Sequence, residues 1–464
     1  MRYRRHLLAL TTLGLLAAAD RPEGAAPFRF SGPLASLMPP GAAPAPHSTG
    51  LAFQIRISAN GQKIERGPFL LTVPGAPKPF RLTLDGATFA AGTLSGKATI
   101  ANGSGAPLEG LRLDLVHATE TFAGKDATGK AVTATRPRTV AAAPLHFGDL
   151  GANEASDALP LVATGLAFGP ETTQILVHGV VSGLRYERTL ANPTACGSGQ
   201  IEVDDRGTVY LADTCGRRIA RLAPSGEITG VELPGRTKGF ARDARSGRLA
   251  ASYGTYREIR LIGAEQQVLG TLGEVQGLDT VPDFLRFDGK GRLWVEAGGA
   301  ILRFGETGRL EQRIRSIGGT DLYGILSFDV APDGTLWVVS DGALFRLPAN
   351  GAPGARLVGP GWRAGELTRP EAPRAAPDGS VWVVEGADPT RGAPERISVF
   401  DREGRLVRIF GRGARAPLPG FPAAYHEAQV HQARDLAFGP ENRVYVAAQR
   451  PGRKGEVVTV FRRF

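Results

Sequence analysis

The chain has 464 residues, of which 62 are glycine and 34 are proline, and 42 % of its residues are hydrophobic. Gly and Pro at this density interrupt almost every window of about a dozen residues, which excludes a protein of long helices, and the apolar content excludes general disorder. The formal net charge is +10, but no concentrated basic stripe occurs, so we expect no nucleic-acid partner. The composition therefore predicts a turn-rich, all-β protein.

Residues 1–19 have the parts of a secretory signal peptide. Three arginines lie within Met1–His6, an apolar run follows at Leu7–Leu16, and the small residues Ala17–Ala19 precede the expected cleavage site. The apolar run is shorter than the roughly 20 residues that span a bilayer, and Asp20 stands where a lipoprotein would need a cysteine. We therefore expect an extracytoplasmic protein, secreted or periplasmic, without a membrane span.

Residues 20–48 are rich in Pro and Ala, and we expect an extended leader there. From residue 49 to residue 185 short apolar segments alternate with turns. Leu51–Ser58 alternates apolar and polar residues and is followed by Asn60-Gly61, a strong hairpin signal. The other candidate strands are Phe69–Val73, Phe80–Leu84, Lys97–Ala101, Leu111–Val116, Ala131–Ala134, Leu161–Thr164 and Gln174–Val181. This many short strands predicts an N-terminal β-sandwich.

Two stretches of this region, Gly96–Leu115 (GKATIANGSGAPLEGLRLDL) and Leu145–Leu150 (LHFGDL), resemble the immunoglobulin-like domains of bacterial surface proteins. The resemblance implies that residues 49–185 form an immunoglobulin-like sandwich. In an exported protein such a domain would act as a spacer or as a second contact module.

An internal repeat begins near Gly199, and its unit is an apolar strand, a turn and a second strand with an aromatic residue at a fixed place. The copies are IEVDDRGTVYLAD, ARDARSGRLAASY, LRFDGKGRLWVEA, FDVAPDGTLWVVS, PRAAPDGSVWVVE and LAFGPENRVYVAA. The turn residues follow one another at steps of 40, 44, 43, 45 and 63 and are Gly207, Gly247, Gly291, Gly334, Gly379 and Asn442. We expect a positive φ angle at each, because Gly adopts it freely and Asn at little cost.

A second hairpin follows each copy, so that each repeat unit supplies four antiparallel strands. Six such units predict a C-terminal six-bladed β-propeller over residues 186–464. The copies, above all DDRGTVYLADTCGRRI, resemble NHL-repeat propellers. The resemblance implies a structural ion pair between Asp213 and Arg218. Blade five keeps this arginine as Arg396 and has Glu385 in place of the aspartate.

The aromatic position of the repeat holds Tyr210, Trp294, Trp337, Trp382 and Tyr445. Its regular recurrence predicts packing between neighbouring blades, and a sugar-binding set of rings is the alternative. Blade two has lost the aromatic residue.

The last blade lacks an outer strand in sequence order, because Val458–Phe461 has the position of a penultimate strand. We expect a segment near Leu184–Leu190 to supply the outer strand. Such closure would tie the sandwich to the propeller.

The chain contains two cysteines, Cys196 and Cys215, and their spacing matches no common metal or redox motif. In an exported protein this pair predicts one disulfide, and two buried free thiols are the alternative. The two residues lie almost equally far from a hairpin turn at Asp205-Arg206, whose antiparallel strands would bring them together. The bond would stabilise blade one by roughly 3 kcal/mol.

In a propeller, the loops before the first strand and after the second strand of each blade share one face, which we call the mouth face. Its longest loops are Gly386–Glu395 and Gly411–Ala433, and long connections are often functional; a role in capping the channel is the alternative. The second loop carries Tyr425–His431, which superficially resembles an HExxH zinc motif. His426 and His431 are five positions apart instead of four, so we expect no zinc there.

Aromatic and charged residues expected at the mouth face are candidates for ligand binding. They are Tyr253, Tyr256, Asp283, Glu296, Tyr323, Asp341, Glu371, Glu385, His426, His431, Arg434 and Gln449. Converging carboxylates could hold Ca²⁺ through their oxygens, as in propeller hydrolases of the gluconolactonase family, but the Glu-Gly-Pro motif of that family is missing. Apart from this calcium alternative, no cofactor is expected.

These observations favour an exported, monomeric protein that binds without catalysis through the mouth face. Its partner would be a protein, an envelope polymer or a small ligand. A metal-dependent propeller hydrolase of the lactonase type, or a lyase, is the alternative, and a purely structural envelope component is a third possibility. No catalytic residue is assigned, because no Ser/His/Asp order, P-loop or dinucleotide-binding motif stands out.

Overall fold

The computed structural model describes residues 50–58, 61–125, 131–191, 198–361, 365–388, 395–410, 433–449 and 456–464. Apart from a short 3₁₀ turn at Glu274–Gln276, the regular structure in these ranges is β-strand. None of the described segments forms an apolar helix that could cross a membrane. The predicted all-β fold is confirmed, whereas the predicted signal peptide and leader lie outside the described residues.

The strands that precede the repeats form two antiparallel sheets. The strands are β1 (Leu51–Ser58), β2 (Lys63–Ile64), β3 (Phe69–Leu71), β4 (Phe80–Ala90), β5 (Thr93–Ala101), β6 (Leu108–Lys125), β7 (Ala131–Arg138), β8 (Ala141–Ala142), β9 (Leu145–Leu150), β10 (Leu159–Thr164) and β11 (Thr172–Ala191). One sheet has the order β3-β4-β5-β10-β8. In the other, β2, β1, β11 and β6 lie side by side, and both β7 and β9 pair with β6.

The two sheets pack face to face around one hydrophobic core, which confirms the β-sandwich. On β1 every second residue, Phe53, Ile55 and Ile57, is buried, as the two-residue period of a strand requires. In the core these side chains join Leu82 and Leu84 of β4, which come from the opposite sheet.

The next strands form five four-stranded antiparallel sheets, each of which is one blade. Blade one contains β12 (Ser198–Val203), β13 (Val209–Asp213), β14 (Arg218–Leu222) and β15 (Ile228–Glu232), and blade two contains β16 (Thr237–Arg242), β17 (Leu249–Tyr253), β18 (Ile259–Ile262) and β19 (Val268–Leu272). Blade three contains β20 (Pro282–Phe287), β21 (Leu293–Ala297), β22 (Ala300–Phe304) and β23 (Leu310–Ile314), and a small hairpin of β24 (Ser316–Ile317) and β25 (Thr320–Asp321) follows. Blade four contains β26 (Ile325–Val330), β27 (Leu336–Ser340), β28 (Ala343–Leu347) and β29 (Ala355–Val358), and blade five contains β30 (Pro370–Ala375), β31 (Val381–Glu385), β32 (Arg396–Phe400) and β33 (Leu406–Phe410).

Blade six is completed by a strand from the other end of the repeat region. Its own strands are β34 (Ala433–Gly439), β35 (Arg443–Gln449) and β36 (Glu456–Arg463). The second half of β11 pairs with β36, from Leu184 opposite Arg463 to Ala191 opposite Val457. The predicted closure is confirmed. Because the first half of β11 pairs with β1, a single strand of 20 residues belongs to both the sandwich and the propeller.

The six blades close into a ring, because the first strands β12, β16, β20, β26, β30 and β34 are neighbours in this order and β34 also contacts β12. The recurring aromatic residues lie between blades. Tyr210 packs on blade two, Trp294 on blade four, Trp337 on blade five, Trp382 on blade six and Tyr445 on blade one. All five are buried, so the packing interpretation is confirmed.

The six turn residues of the repeat have φ angles between 59° and 87°, as predicted. They lie on one face of the propeller, opposite the mouth face, and we call it the turn face. The expected ion pair of blade one is also present, with 3.7 Å between Arg218 Nε and Asp213 Oδ2.

Charged side chains from the first strands fill the centre of the ring. Arg374 donates hydrogen bonds of 2.6 and 2.8 Å to Asp435, and Arg286 lies 3.2 Å from Asp329. Glu202 bridges the two arginines at 3.2 and 3.4 Å. Both arginines and Asp435 are at most 4 % exposed. This network joins blades one, three, four, five and six, and sequence reasoning missed it.

Candidate functional site

A cavity of about 620 Å³ opens on the mouth face between blades four and five. Asp341 and Gly342, in the loop between β27 and β28, form one wall. The segment 367–371, which leads into β30, forms the opposite wall, and Phe284 reaches the cavity from blade three. Small-molecule sites are typically about 300–1,000 Å³, so the cavity has the size of a site for one organic molecule.

The blade-five wall of the cavity is held in place by Glu385. Its carboxylate accepts hydrogen bonds from the backbone N–H of Thr368 at 2.6 Å and from Arg396 Nε at 2.9 Å. The Ser398 hydroxyl also donates to it, and Arg396 reaches on to the carbonyl of Glu366 at 2.7 Å. Glu385 is 1 % exposed, and burial raises its pKa. This candidate residue therefore anchors the wall and does not present its charge to a ligand.

Two residues that line the cavity have a strained backbone. Asp341 has a φ angle of 47° and Arg369 one of 45°, and positive φ is uncommon for residues other than glycine. Hydrogen bonds are made next to both positions: Arg369 Nη1 donates to the carbonyl of Ala387 at 2.9 Å, and the hydroxyl of Ser340, the residue before Asp341, donates to the carbonyl of Tyr323 at 2.6 Å. Such strain is concentrated at binding and catalytic sites in proteins.

Among the described residues, the rim of the cavity carries more negative than positive charge. Its charged residues are Asp341, Arg369, Glu371 and Asp388. Arg434 of blade six donates hydrogen bonds of 2.9 and 3.1 Å to the two oxygens of Glu371, which balances that carboxylate. Asp341 is exposed and makes no hydrogen bond or ion pair with the residues that the structure describes. Beneath this rim the lining includes the apolar side chains of Phe284 and Leu367.

The aromatic candidates do not line this cavity. Tyr253 is 1 % exposed and donates its hydroxyl to Glu258, and burial raises its pKa to about 12. Tyr256 packs against it with 5.4 Å between ring centroids. Tyr323 is 69 % exposed, and its hydroxyl donates to Asp321 at 3.3 Å. Tyr323 and Tyr256 are thus available at the surface, whereas Tyr253 is a packing residue.

Glu296 and Asp283 form a second group of charged residues on the mouth face. Glu296, in β21, is 6 % exposed, and its Oε1 accepts the backbone N–H of Gly299 at 3.1 Å. Burial, together with a smaller effect of the neighbouring carboxylate of Asp283, raises the pKa of Glu296 to about 7. Asp283 itself pairs with Lys238 of blade two at 2.9 Å. Glu296 can therefore gain or lose a proton near neutral pH, as a general acid or base must.

Several sequence predictions fall outside the described residues. His426, His431 and Cys196 lie there, together with most of the two long loops, so the loop hypothesis and the disulfide stay predictions. Gln449 is described as the end of β35. Among the residues that the structure does describe, no group of three or more His, Cys, Asp or Glu side chains is arranged to hold a metal ion.

Sequence reasoning missed the cavity residues Phe284, Leu367 and Arg369. One signal pointed to Leu367 and Arg369: the step of 45 residues from Gly334 to Gly379 is the longest regular step of the repeat. The additional length lies in the segment that precedes β30 and forms the cavity wall.

No protein-family model and no curated protein sequence matches the chain. Among solved structures, a gluconolactonase from Xanthomonas campestris is 18 % identical, with 60 % of this chain and 90 % of that chain covered and a TM-score of 0.43. Virginiamycin B lyase from Staphylococcus aureus is 13 % identical, with 75 % and 99 % covered and a TM-score of 0.39. Hydrazine synthase from Kuenenia stuttgartiensis is 13 % identical, with 56 % and 78 % covered and a TM-score of 0.39. Likeness of this degree assigns no function, so the functional argument rests on the geometry of this chain.

Proposed function

We propose that this protein is an exported binding protein that holds a small organic molecule in the cavity between blades four and five. The observation that carries the proposal is a cavity of about 620 Å³ whose two walls contain the strained residues Asp341 and Arg369. The contacts of Glu385 fix one wall before any ligand arrives. A preformed site binds with less loss of conformational freedom.

The chemistry of the cavity favours a ligand with a cationic group on an apolar body. The carboxylate of Asp341, which has no partner among the described residues, can accept a charged hydrogen bond, which is roughly twice as strong as a neutral one. The ring of Phe284 offers apolar contact and attracts a cation through its face. An anionic ligand would meet repulsion from Asp341.

For the rest of the molecule, we propose that residues 1–19 direct export and are removed and that residues 20–48 form a leader. Residues 49–185 would be an immunoglobulin-like spacer or second contact module, and residues 186–464 an NHL-like propeller closed in blade one by the disulfide Cys196–Cys215. The protein would act as a monomer in the envelope or outside the cell. A protein or an envelope polymer could occupy the remaining mouth face, and calcium could be held at the channel mouth by carboxylate oxygens.

The protonation behaviour of Glu296 supports a second candidate function, a lactonase-like hydrolase or a lyase. A carboxyl group with a pKa of about 7 suits proton transfer at neutral pH. Asp283 and Lys238 lie beside it on the mouth face. An enzyme of this kind would lose its turnover of substrate when Glu296 is replaced. Ligand binding in the cavity between blades four and five would not need Glu296.

Binding of benzylamine and benzoate by the full-length protein tests the primary proposal. The two probes share an aromatic ring and differ in the sign of their charge. We expect benzylamine to bind and benzoate not to bind, as measured by isothermal titration calorimetry. Asp341→Asn keeps a residue that tolerates positive φ and removes the charge, so it should weaken benzylamine binding about tenfold through loss of one charged contact.

The matched control is Asp333→Asn, which makes the same change at an exposed aspartate of the turn face. It should leave the affinity unchanged. Preference for benzoate, equal affinity of wild type and Asp341→Asn for benzylamine, or no binding of either probe would contradict the proposed ligand class.

A further inference from the structure

The sandwich and the propeller meet along a contact that buries arginine side chains. Arg408 of β33 donates a hydrogen bond to the hydroxyl of Ser182 in β11. In the opposite direction, Arg112 of β6 donates to the carbonyl of Val407. Arg463 of β36 lies near Arg408 on the same side of the contact. Three guanidinium groups therefore meet where the two parts of the molecule join.

A cavity of about 20 Å³ lies beside two of these groups and is lined by Arg408 and Arg463. Each of the two arginines is 8 % exposed. In each, the Nε atom is buried and has no hydrogen-bond partner among the described residues. A buried hydrogen-bond donor without an acceptor costs free energy. An acceptor bound in the cavity beside these two Nε atoms would therefore stabilise the folded protein.

The charges around Arg408 do not balance. The groups that act on it are Arg112 and Arg463, which are positive, and Asp114 and Asp378, which are negative. Both aspartates already have partners, since Asp114 lies 2.6 Å from Arg112 and Asp378 accepts a hydrogen bond of 3.1 Å from Arg463. Burial, together with a smaller effect of the positive charge of Arg112, lowers the pKa of Arg408 to about 10. Among the described groups, one positive charge therefore remains uncompensated.

We propose that this cavity binds one monoatomic anion, chloride, which fastens the sandwich to the propeller. An anion supplies both the missing acceptor and the missing negative charge, whereas a water molecule supplies only the acceptor. The cavity exceeds the roughly 10–15 Å³ that one water molecule needs and is too small for sulfate or phosphate. The rest of its lining is mixed: Trp382, Val399 and Val407 are apolar, whereas the carboxylate of Asp378 accepts hydrogen bonds from Arg463 and from the hydroxyl of Ser380.

The thermal unfolding midpoint of the full-length protein tests this site. The midpoint is measured in sodium chloride and in sodium methanesulfonate, whose anion is too large for the cavity, at equal ionic strength. Chloride should raise the midpoint by roughly 1–3 °C in a saturable way, because it binds the folded state alone. A crystal soaked in bromide should show an anomalous scattering peak between Arg408 and Arg463.

Two variants should abolish the response to chloride. Val399→Ile adds a methyl group that fills the cavity and leaves every charge in place, and Arg408→Met removes the unbalanced charge. Arg405→Met, at an exposed arginine just before β33, should keep the full response. Three outcomes would overturn the proposal and assign the cavity to water. They are equal midpoints in the two salts, an undiminished response to chloride in Val399→Ile, and a bromide soak without an anomalous peak in the cavity.

Discussion

At the scale of single residues, Glu296 makes the stability of the protein depend on pH. Burial, followed by the carboxylate of Asp283, raises its pKa from 4.5 to about 7. Folding therefore favours the protonated form. The stabilising contribution is complete below pH 4.5 and is lost as the pH rises through 7, and over the whole shift it amounts to about 3 kcal/mol.

We expect Glu296→Gln to remove this contribution, because glutamine does not titrate. Between pH 5 and pH 8 the free energy of unfolding of the wild type should fall by about 2–3 kcal/mol more than that of the variant. Urea unfolding at the two pH values measures both. Glu265→Gln changes an exposed glutamate and should follow the wild type. Parallel curves for Glu296→Gln and wild type would show that Glu296 is ionised throughout.

Single residues also show where sequence reasoning succeeds. The positive φ angles at the turn residues were predicted because backbone preference is a local property of Gly and Asn. The pairing of Glu385 with Arg396 follows from the resemblance between the repeats, whereas its hydrogen bond from the backbone of Thr368 could not be predicted, because only the folded blade brings these two residues together. Arg286 and Arg374 each stand five positions before a turn residue of the repeat. Alignment of the repeats therefore shows that this position carries a charge, but it does not show which carboxylates face the two arginines in the folded ring.

At the scale of elements, each first hairpin depends on its turn glycine. Gly334 has a φ angle of 87°, and an added Cβ would lie 3.1 Å from the Cβ of Ala349. Gly334→Ala should therefore lower the free energy of unfolding by about 1–2 kcal/mol. Urea denaturation measures the change.

Gly359→Ala is the matched control for this hairpin. Gly359 has no positive φ angle, and a Cβ there would meet nothing within 4 Å. Its substitution should leave the free energy of unfolding nearly unchanged. An equal loss in both variants would mean that the general flexibility of glycine, and not the turn conformation, sets the cost.

The strands of the sandwich were predicted less completely than those of the blades. The apolar pattern indicated Gln174–Val181, whereas β11 extends over Thr172–Ala191. Its pairing with β6 shifts register between Ser182 and Leu184, and such bulges reverse the alternation of faces. A two-residue period therefore detects only the regular part of the strand. The blades lack this difficulty because the repeat supplies six aligned copies.

At the scale of the whole molecule, Phe464 makes the sandwich depend on the end of the propeller. Its side chain is 3 % exposed within the sandwich core and lies 6.2 Å from the ring of Phe80, measured between centroids. Its backbone exchanges hydrogen bonds of 2.9 and 3.1 Å with Gly183. Phe464→Ala should cost about 3–5 kcal/mol, and it should shift one transition shared by both parts in differential scanning calorimetry.

Tyr323→Ala, at an exposed ring of the mouth face, is the control and should leave the midpoint unchanged. Two separate calorimetric peaks, of which Phe464→Ala moves one, would contradict the expected coupling between sandwich and propeller.

The strand shared by the two parts also imposes an order on biosynthesis. β11 is made before blades one to five, whereas its partner β36 is made after them. Until then the second half of β11 offers an unpaired edge on that side, and such an edge accepts strands from other chains. A β36 segment donated by a second nascent copy fits this edge as well as the chain's own, which is the starting point of domain swapping. In the finished molecule β11 joins the sandwich to the propeller. In the nascent chain the same strand can instead pair with the β36 segment of a second copy.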